Sequence, residues 1–122
     1  VIRAFSDTIG ETSVILTLET SRSCSRYHID NVPMRLLVTY YGKGTEWFPN
    51  HACDYSAYYS GEKNDKIIIN NNERRFMKPW DIAIFKGQKF NTNYKFNGIL
   101  HRSPDSALNG KSLLMRLDSS NY

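Results

Sequence analysis

Short alternating runs of apolar and polar residues, each closed by a turn signal, fill the last two-thirds of this chain and commit most of it to β-strands. "WDIAIFK" (80–86) sets Ile82 and Ile84 against Asp81, Ala83 and Phe85. A period of two places one set on each face of a strand. "MRLLVTYY" (34–41) ends at the turn "GKG", and "TEWF" (45–48) is stopped by Pro49, which has no N–H for a sheet ladder. "DKIIIN" (65–70), "YKFNGIL" (94–100) and "SLLMRL" (112–117) complete the expected strands. "SGEKND", "KGQ" and "SPDSALNGK" carry the turn chemistry between them.

The N-terminal segment reads two ways. As a strand, "SVILTLET" (13–20) puts Val14, Leu16 and Leu18 on one face. As a helix from Thr8, it gathers Val14, Ile15 and Leu18 into one stripe, and Thr8 with Glu11 fits a capping box. Its β-branched residues lose rotamer freedom in a helix, so local propensity leans to strand.

At 122 residues the chain is long enough for one domain around one core, with no repeat and no linker. Its 40% hydrophobic and 23% charged residues fit a globular protein. No apolar run approaches the roughly 18 residues of a membrane helix. The net charge of +4 permits phosphate-bearing partners without demanding them. Tyr, Phe and Trp make up 13%, which suits base or sugar stacking and equally suits a β-sheet. The chain starts on Val1, as expected after removal of a leader or after trimming. Two cysteines, Cys24 and Cys53, are the expected count for one disulfide in a small secreted chain. Such a bond would contribute about 3–4 kcal/mol by closing a loop of about 30 residues. Two unrelated buried thiols are the alternative.

The acid–base candidates are His28, Glu46, His51 and His101. A carboxylate at Glu46 facing an imidazole at His28 could deprotonate a ribose hydroxyl and then protonate a leaving oxygen. Cys24-x-x-x-His28 and His51-x-Cys53 offer a ligand set that zinc accepts, but neither spacing is that of a zinc knuckle, so no metal or other cofactor is expected. Arg74, Arg75 and Lys78, with Lys86, Lys89, Lys95 and Arg102, could track a phosphate backbone, with Trp47 as a stacking surface. There is no phosphate-binding glycine loop, nucleophile elbow or HExxH motif.

Taken in order, "YH" (27–28), "TEWFP" (45–49), "PWDIAIF" (79–85) and "YKFNGILH" (94–101) resemble the guanyl-specific fungal ribonucleases, and in particular the ribonuclease-like secreted effectors of powdery mildew fungi. The resemblance implies an α+β fold, one N-terminal helix (residues 8–23) on a twisted antiparallel sheet, across a single domain of residues 1–122. His28 matches the family's first histidine and Glu46 its general base. Ile82 stands where the family has its transition-state arginine, and Arg102 stands where it has its acid histidine. His101 falls one residue early, on the opposite face of its strand. The resemblance therefore implies a catalytically degenerate, non-enzymatic protein. It would be secreted, monomeric, not in a membrane, and delivered into host cells. It would bind host RNA or a host protein through Arg74, Arg75, Lys95, Arg102 and Trp47, and be recognised by an immune receptor. The alternatives are a residual ribonuclease using Glu46 and His28, and a secreted β-rich lectin or inhibitor module.

Overall fold

The computed structural model describes residues 2–10, 14–20, 24–90, 98–104 and 112–119. Helix α1 (Ile2–Ile9) is followed by strands β1 (Val14–Glu19), β2 (Met34–Tyr41) and β3 (Glu46–Trp47). Two short helices come next, α2 (Tyr55–Tyr59) and α3 (Asn64–Ile67). Strands β4 (Arg75–Phe76), β5 (Ile82–Lys86), β6 (His101–Arg102) and β7 (Leu113–Ser119) end the order. The fold is α+β, with two antiparallel sheets ordered β1-β7-β2-β5 and β4-β3-β6.

Strand β2 is central in the larger sheet, and its apolar residues on both faces are buried there. Leu36 and Val38 meet Met115, Leu117 and Phe5, so α1 covers the outer face through one fully buried aromatic ring. Leu37 on the inner face joins Ala83, Phe85 and Leu114, and Trp47 of the smaller sheet packs against that group. The far side of the smaller sheet carries a third core, in which Tyr27, Phe48 and Leu100 pack on Tyr55, Ile67 and Ile68 from around α2 and α3.

Two glycines bring the chain segments of the inner face together. A Cβ on Gly87 would lie 1.8 Å from the Val32 carbonyl oxygen and 2.6 Å from that of Asp30. A Cβ on Gly98 would lie 2.2 Å from Ile29 Cγ2. Only an absent side chain lets the end of β5 and the segment entering β6 close on residues 28–32. His28 and His101 then exchange backbone hydrogen bonds of 3.0 and 3.1 Å, and Gln88 N–H donates to the Asp30 carbonyl at 2.8 Å.

Several sequence expectations are corrected. The N-terminal helix is residues 2–9 rather than 8–23, and residues 14–19 form a strand, as their β-branched side chains favour. The "DKIIIN" run is not a strand: residues 64–67 are helical, and Ile67 is fully buried under α2, where its carbonyl accepts from Asp54 N–H at 2.7 Å. Cys24 and Cys53 are free thiols. Cys53 is buried against Ile68 and the α2 core, whereas Cys24 is exposed beside β6, so the two belong to different layers. Part of the capping box (Glu11) and Lys95 lie outside the described residues.

Candidate metal centre

Register within the smaller sheet decides which polar side chains meet. Glu46 pairs with Arg102 and Trp47 with His101, while His28 bridges to His101. Residues paired across antiparallel strands share a face. His28 and His101 therefore face the larger sheet, and Glu46 and Arg102 face the opposite way.

The Glu46 face is a buried ion-pair cluster. Arg102 Nε donates to Glu46 Oε2 at 2.8 Å, the Tyr27 hydroxyl donates to the same oxygen, and Arg74 Nε stands 3.9 Å from Oε1. The Arg102 guanidinium also lies over the Tyr27 ring, 4.5 Å from its centroid. Burial, then the Glu46 contact, raises the Tyr27 hydroxyl well above its ordinary pKa. The expected His28–Glu46 acid–base pair is thus split between two faces. Arg102 falls on the face of Glu46 and opposite His101, but its charge is spent on that carboxylate. Arg75 stacks 5.2 Å from the Trp47 ring centroid and bonds Glu73, so Arg74, Arg75, Arg102 and Trp47 do not gather on one face. Ile82 is exposed on the outer face of β5. His51 is exposed beside Glu73.

The His28 face holds what the sequence reading missed. Asp30 follows His28 by two residues in extended chain, so both side chains point the same way. His101 arrives from β6. One ligand atom from each of the three lies within 4.8 Å of the others. Asp30 and His101 are buried, and His28 is half-buried.

The hydrogen-bond pattern orients the three. His28 Nδ1 lies 2.8 Å from the Arg26 carbonyl oxygen, and His101 Nδ1 lies 2.9 Å from that of Ile99. A carbonyl only accepts, so each Nδ1 carries a proton and each Nε2 is turned away from the backbone. Both Nε2 atoms face one carboxylate: His28 at 3.5 Å from Asp30 Oδ1 and His101 at 3.2 Å from Oδ2. Oδ2 makes no hydrogen bond despite its burial. Two imidazole nitrogens and a carboxylate converging on one point call for a positive charge among them. Protons can fill that role, and so can a metal ion, for which carbonyl-locked imidazoles are the usual arrangement.

Asp30 is held from behind. Arg35 of β2 reaches its Oδ1 at 2.5 Å and grips Asp118 of β7 at 2.5 and 3.2 Å. Burial would raise the Asp30 carboxyl pKa; the two imidazoles and the Arg35 charge outweigh it and keep the group ionised far below the usual range. For His28, burial favours the neutral ring, but the Asp30 contact and the Arg26 carbonyl prevail and raise its pKa. Cys24, Leu37, Thr45, Arg102, Leu114 and Arg116 complete a small cleft of about 60 Å³ around the three. A larger cavity of about 600 Å³ opens between Gly42–Gly44 and Phe76–Pro79, with Lys43 and Lys78 as its charged lining.

The zinc set considered from sequence is not assembled, since His51 and Cys53 lie away from Cys24 and His28. The set that does come together, His28, Asp30 and His101, is one the sequence reading did not consider. The "HID" triplet carried the signal, because a spacing of two in extended chain puts imidazole and carboxylate side by side.

Fold and site together define an α+β protein of two antiparallel sheets that enclose a two-histidine, one-carboxylate cluster. The chain belongs to the DUF1826 family of proteins of unknown function, whose profile matches residues 1–118. No curated protein and no solved structure matches it.

Proposed function

We propose that this protein is a metal-dependent enzyme whose centre is a facial triad of His28, Asp30 and His101 that binds a divalent first-row metal, with iron(II) as the working ion. The observation that carries this reading is the convergence of two imidazoles, each locked through Nδ1 onto a carbonyl, with both Nε2 atoms facing the buried Asp30 carboxylate and one ligand atom of each residue within 4.8 Å of the others. Two histidines and one carboxylate supply three ligands to one side of an octahedral ion. The positions that remain are open to small molecules, the arrangement of non-haem iron(II) oxygenases. Asp118 and Arg35 act behind the triad by fixing Asp30 so that Oδ2 is its metal-facing oxygen.

A ribonuclease-like role, whether as degenerate RNA binder or residual enzyme, is the weaker proposal, because its acid–base pair would need His28 and Glu46 on one face. The same holds for secretion and for recognition by a host receptor, on which the site has no bearing.

The test is anaerobic calorimetric titration of metal-free protein with iron(II), and with cobalt(II) as a redox-stable substitute. One ion per chain is expected, with binding abolished in Asp30→Ala and His101→Ala. Absence of binding, or unchanged binding in both variants, would mean that the cluster is a protonated ion-pair network.

A further inference from the structure

The cleft around the triad carries more positive charge than its own carboxylates can balance once a divalent ion is in place. Arg35, Arg102 and Arg116 line it. Asp30 lines it too, with Asp118 bonded to Arg35 and Arg116 and Glu46 bonded to Arg102. Among the described residues these three arginines and three carboxylates are equal in number. A divalent metal then leaves two positive charges in excess. Uncompensated charge in a site this buried is costly, so the loaded site favours an anion.

The three arginines are not equivalent. Arg102 is turned to Glu46 on the far face, and Arg35 is clamped between two carboxylates. Their side chains are 12% and 16% exposed. The Arg116 side chain is 29% exposed, and Asp118 meets it at Nε at 3.2 Å. Arg116 lies across from Leu37 in the β2–β7 register, on the inner face with the triad. Apolar Leu37 and Leu114 flank it, so an anion reaching it leaves bulk water.

We infer that the cleft binds a 2-oxo acid, its 2-oxo and carboxylate oxygens chelating the metal on the triad and its anionic charge attracted to Arg116. This rests on the triad being a metal site. The space of about 60 Å³ beside the ligands excludes a drug-sized molecule. Chelation uses two of three open positions and leaves one for dioxygen. The electron count also favours this class. Oxidative decarboxylation of R–CO–COO⁻ to R–COO⁻ and CO₂ yields two electrons, and oxidation of a substrate C–H to C–OH yields two more. Together they reduce one O₂, with one oxygen atom in the new carboxylate and the other in the new hydroxyl.

The experiment is anaerobic titration of iron(II)-loaded protein with 2-oxoglutarate and pyruvate, with acetate as the control lacking a 2-oxo group. Chelation by a 2-oxo acid gives a visible metal-to-ligand charge-transfer band that acetate cannot give. The band should saturate, and 2-oxo acid binding should be absent from metal-free protein. Arg116→Ala should weaken 2-oxo acid binding by about 10- to 100-fold, the worth of one charge-assisted contact, while iron affinity stays unchanged. Arg116→Lys should restore part of it. Iron binding without a band in the parent protein overturns the inference and leaves the metal site standing. A band with equal affinity in Arg116→Ala overturns the role of Arg116. No iron binding overturns both readings. The parent titrations with and without metal decide the ligand class even if Arg116→Ala fails to fold.

Discussion

Replacing His101 with glutamine separates the histidine's packing role from its ligand role. In metal-free protein the change removes the bond to the Ile99 carbonyl at 2.9 Å and ring contacts with His28 and Phe85 at centroid distances of 4.6 and 4.8 Å. Those losses amount to about 1–3 kcal/mol. Metal binding then adds a second difference. At a metal concentration of about 100 times the dissociation constant, the parent gains about 2.7 kcal/mol. For a chain of this size that is roughly 8–16 °C in melting temperature, at about 3–6 °C per kcal/mol. Losing an outer-shell partner already weakens a metal site by about 10- to 100-fold, so losing a direct ligand weakens it by at least about 100-fold. At the same metal concentration the variant then gains no more than about 0.4 kcal/mol, or about 1–2 °C. The assay is thermal unfolding of parent and variant, each with and without cobalt(II). The decisive quantity is the metal-induced shift rather than the absolute midpoint, because the packing loss cancels. Equal shifts in the two proteins would refute the assignment of His101 as a ligand.

Three other outcomes follow from the same geometry. In metal-free protein the raised His28 pKa, set among Asp30, His101 and Arg35, stabilises the fold below the ordinary histidine value of 6.5, and that contribution fades as pH rises through the folded value. Metal requires the neutral ring, so metal affinity should rise over the same window; chemical denaturation and metal titration across pH should give opposite slopes, and parallel slopes would contradict the shared site. Cys24 should alkylate readily in native protein, whereas Cys53, buried and with its thiol pKa pushed up to about 11, should react only after denaturation; mass spectrometry showing no free thiol under either condition would restore the disulfide. Gly87→Ala should cost about 3 kcal/mol or more, since its Cβ would overlap the Val32 and Asp30 carbonyls, and should weaken metal binding by displacing Asp30; a variant with parental stability would show that this close approach is not required.

Strands β2, β5 and β7 were legible because alternation and length are local properties, and each structural strand falls within about two residues of its sequence run. The "III" run was not. Three apolar residues fit a buried strand or a buried helical turn equally well, and only the packing of Ile67 and Ile68 beneath α2 chose between them. At the N-terminus, the local preference of residues 14–19 for strand was right, and setting it aside for a helix by analogy was not. Pairing Glu46 with His28 failed for a related reason. Each residue was sensibly singled out, but the face on which a strand residue lies depends on register, and a shift of one residue reverses it.

The sequence by itself determined that this is a small chain dominated by short strands. It also placed Arg102 and His101 on opposite faces, because adjacent residues of a strand alternate. It further contained a histidine and a carboxylate two apart, whose shared face follows from extended geometry. What only the tertiary structure decided is that His101, arriving 73 residues after His28, completes that pair from a two-residue strand. It also decided that Arg35 and Asp118 brace the carboxylate from the opposite sheet. Those contacts depend on the register of β3 with β6 and on two glycine close approaches, and neither is set by any local pattern. The physical reason is that a metal-type site needs donors converging within a few ångströms from distant parts of the chain, and convergence is a property of packed sheets, not of spacing along the backbone.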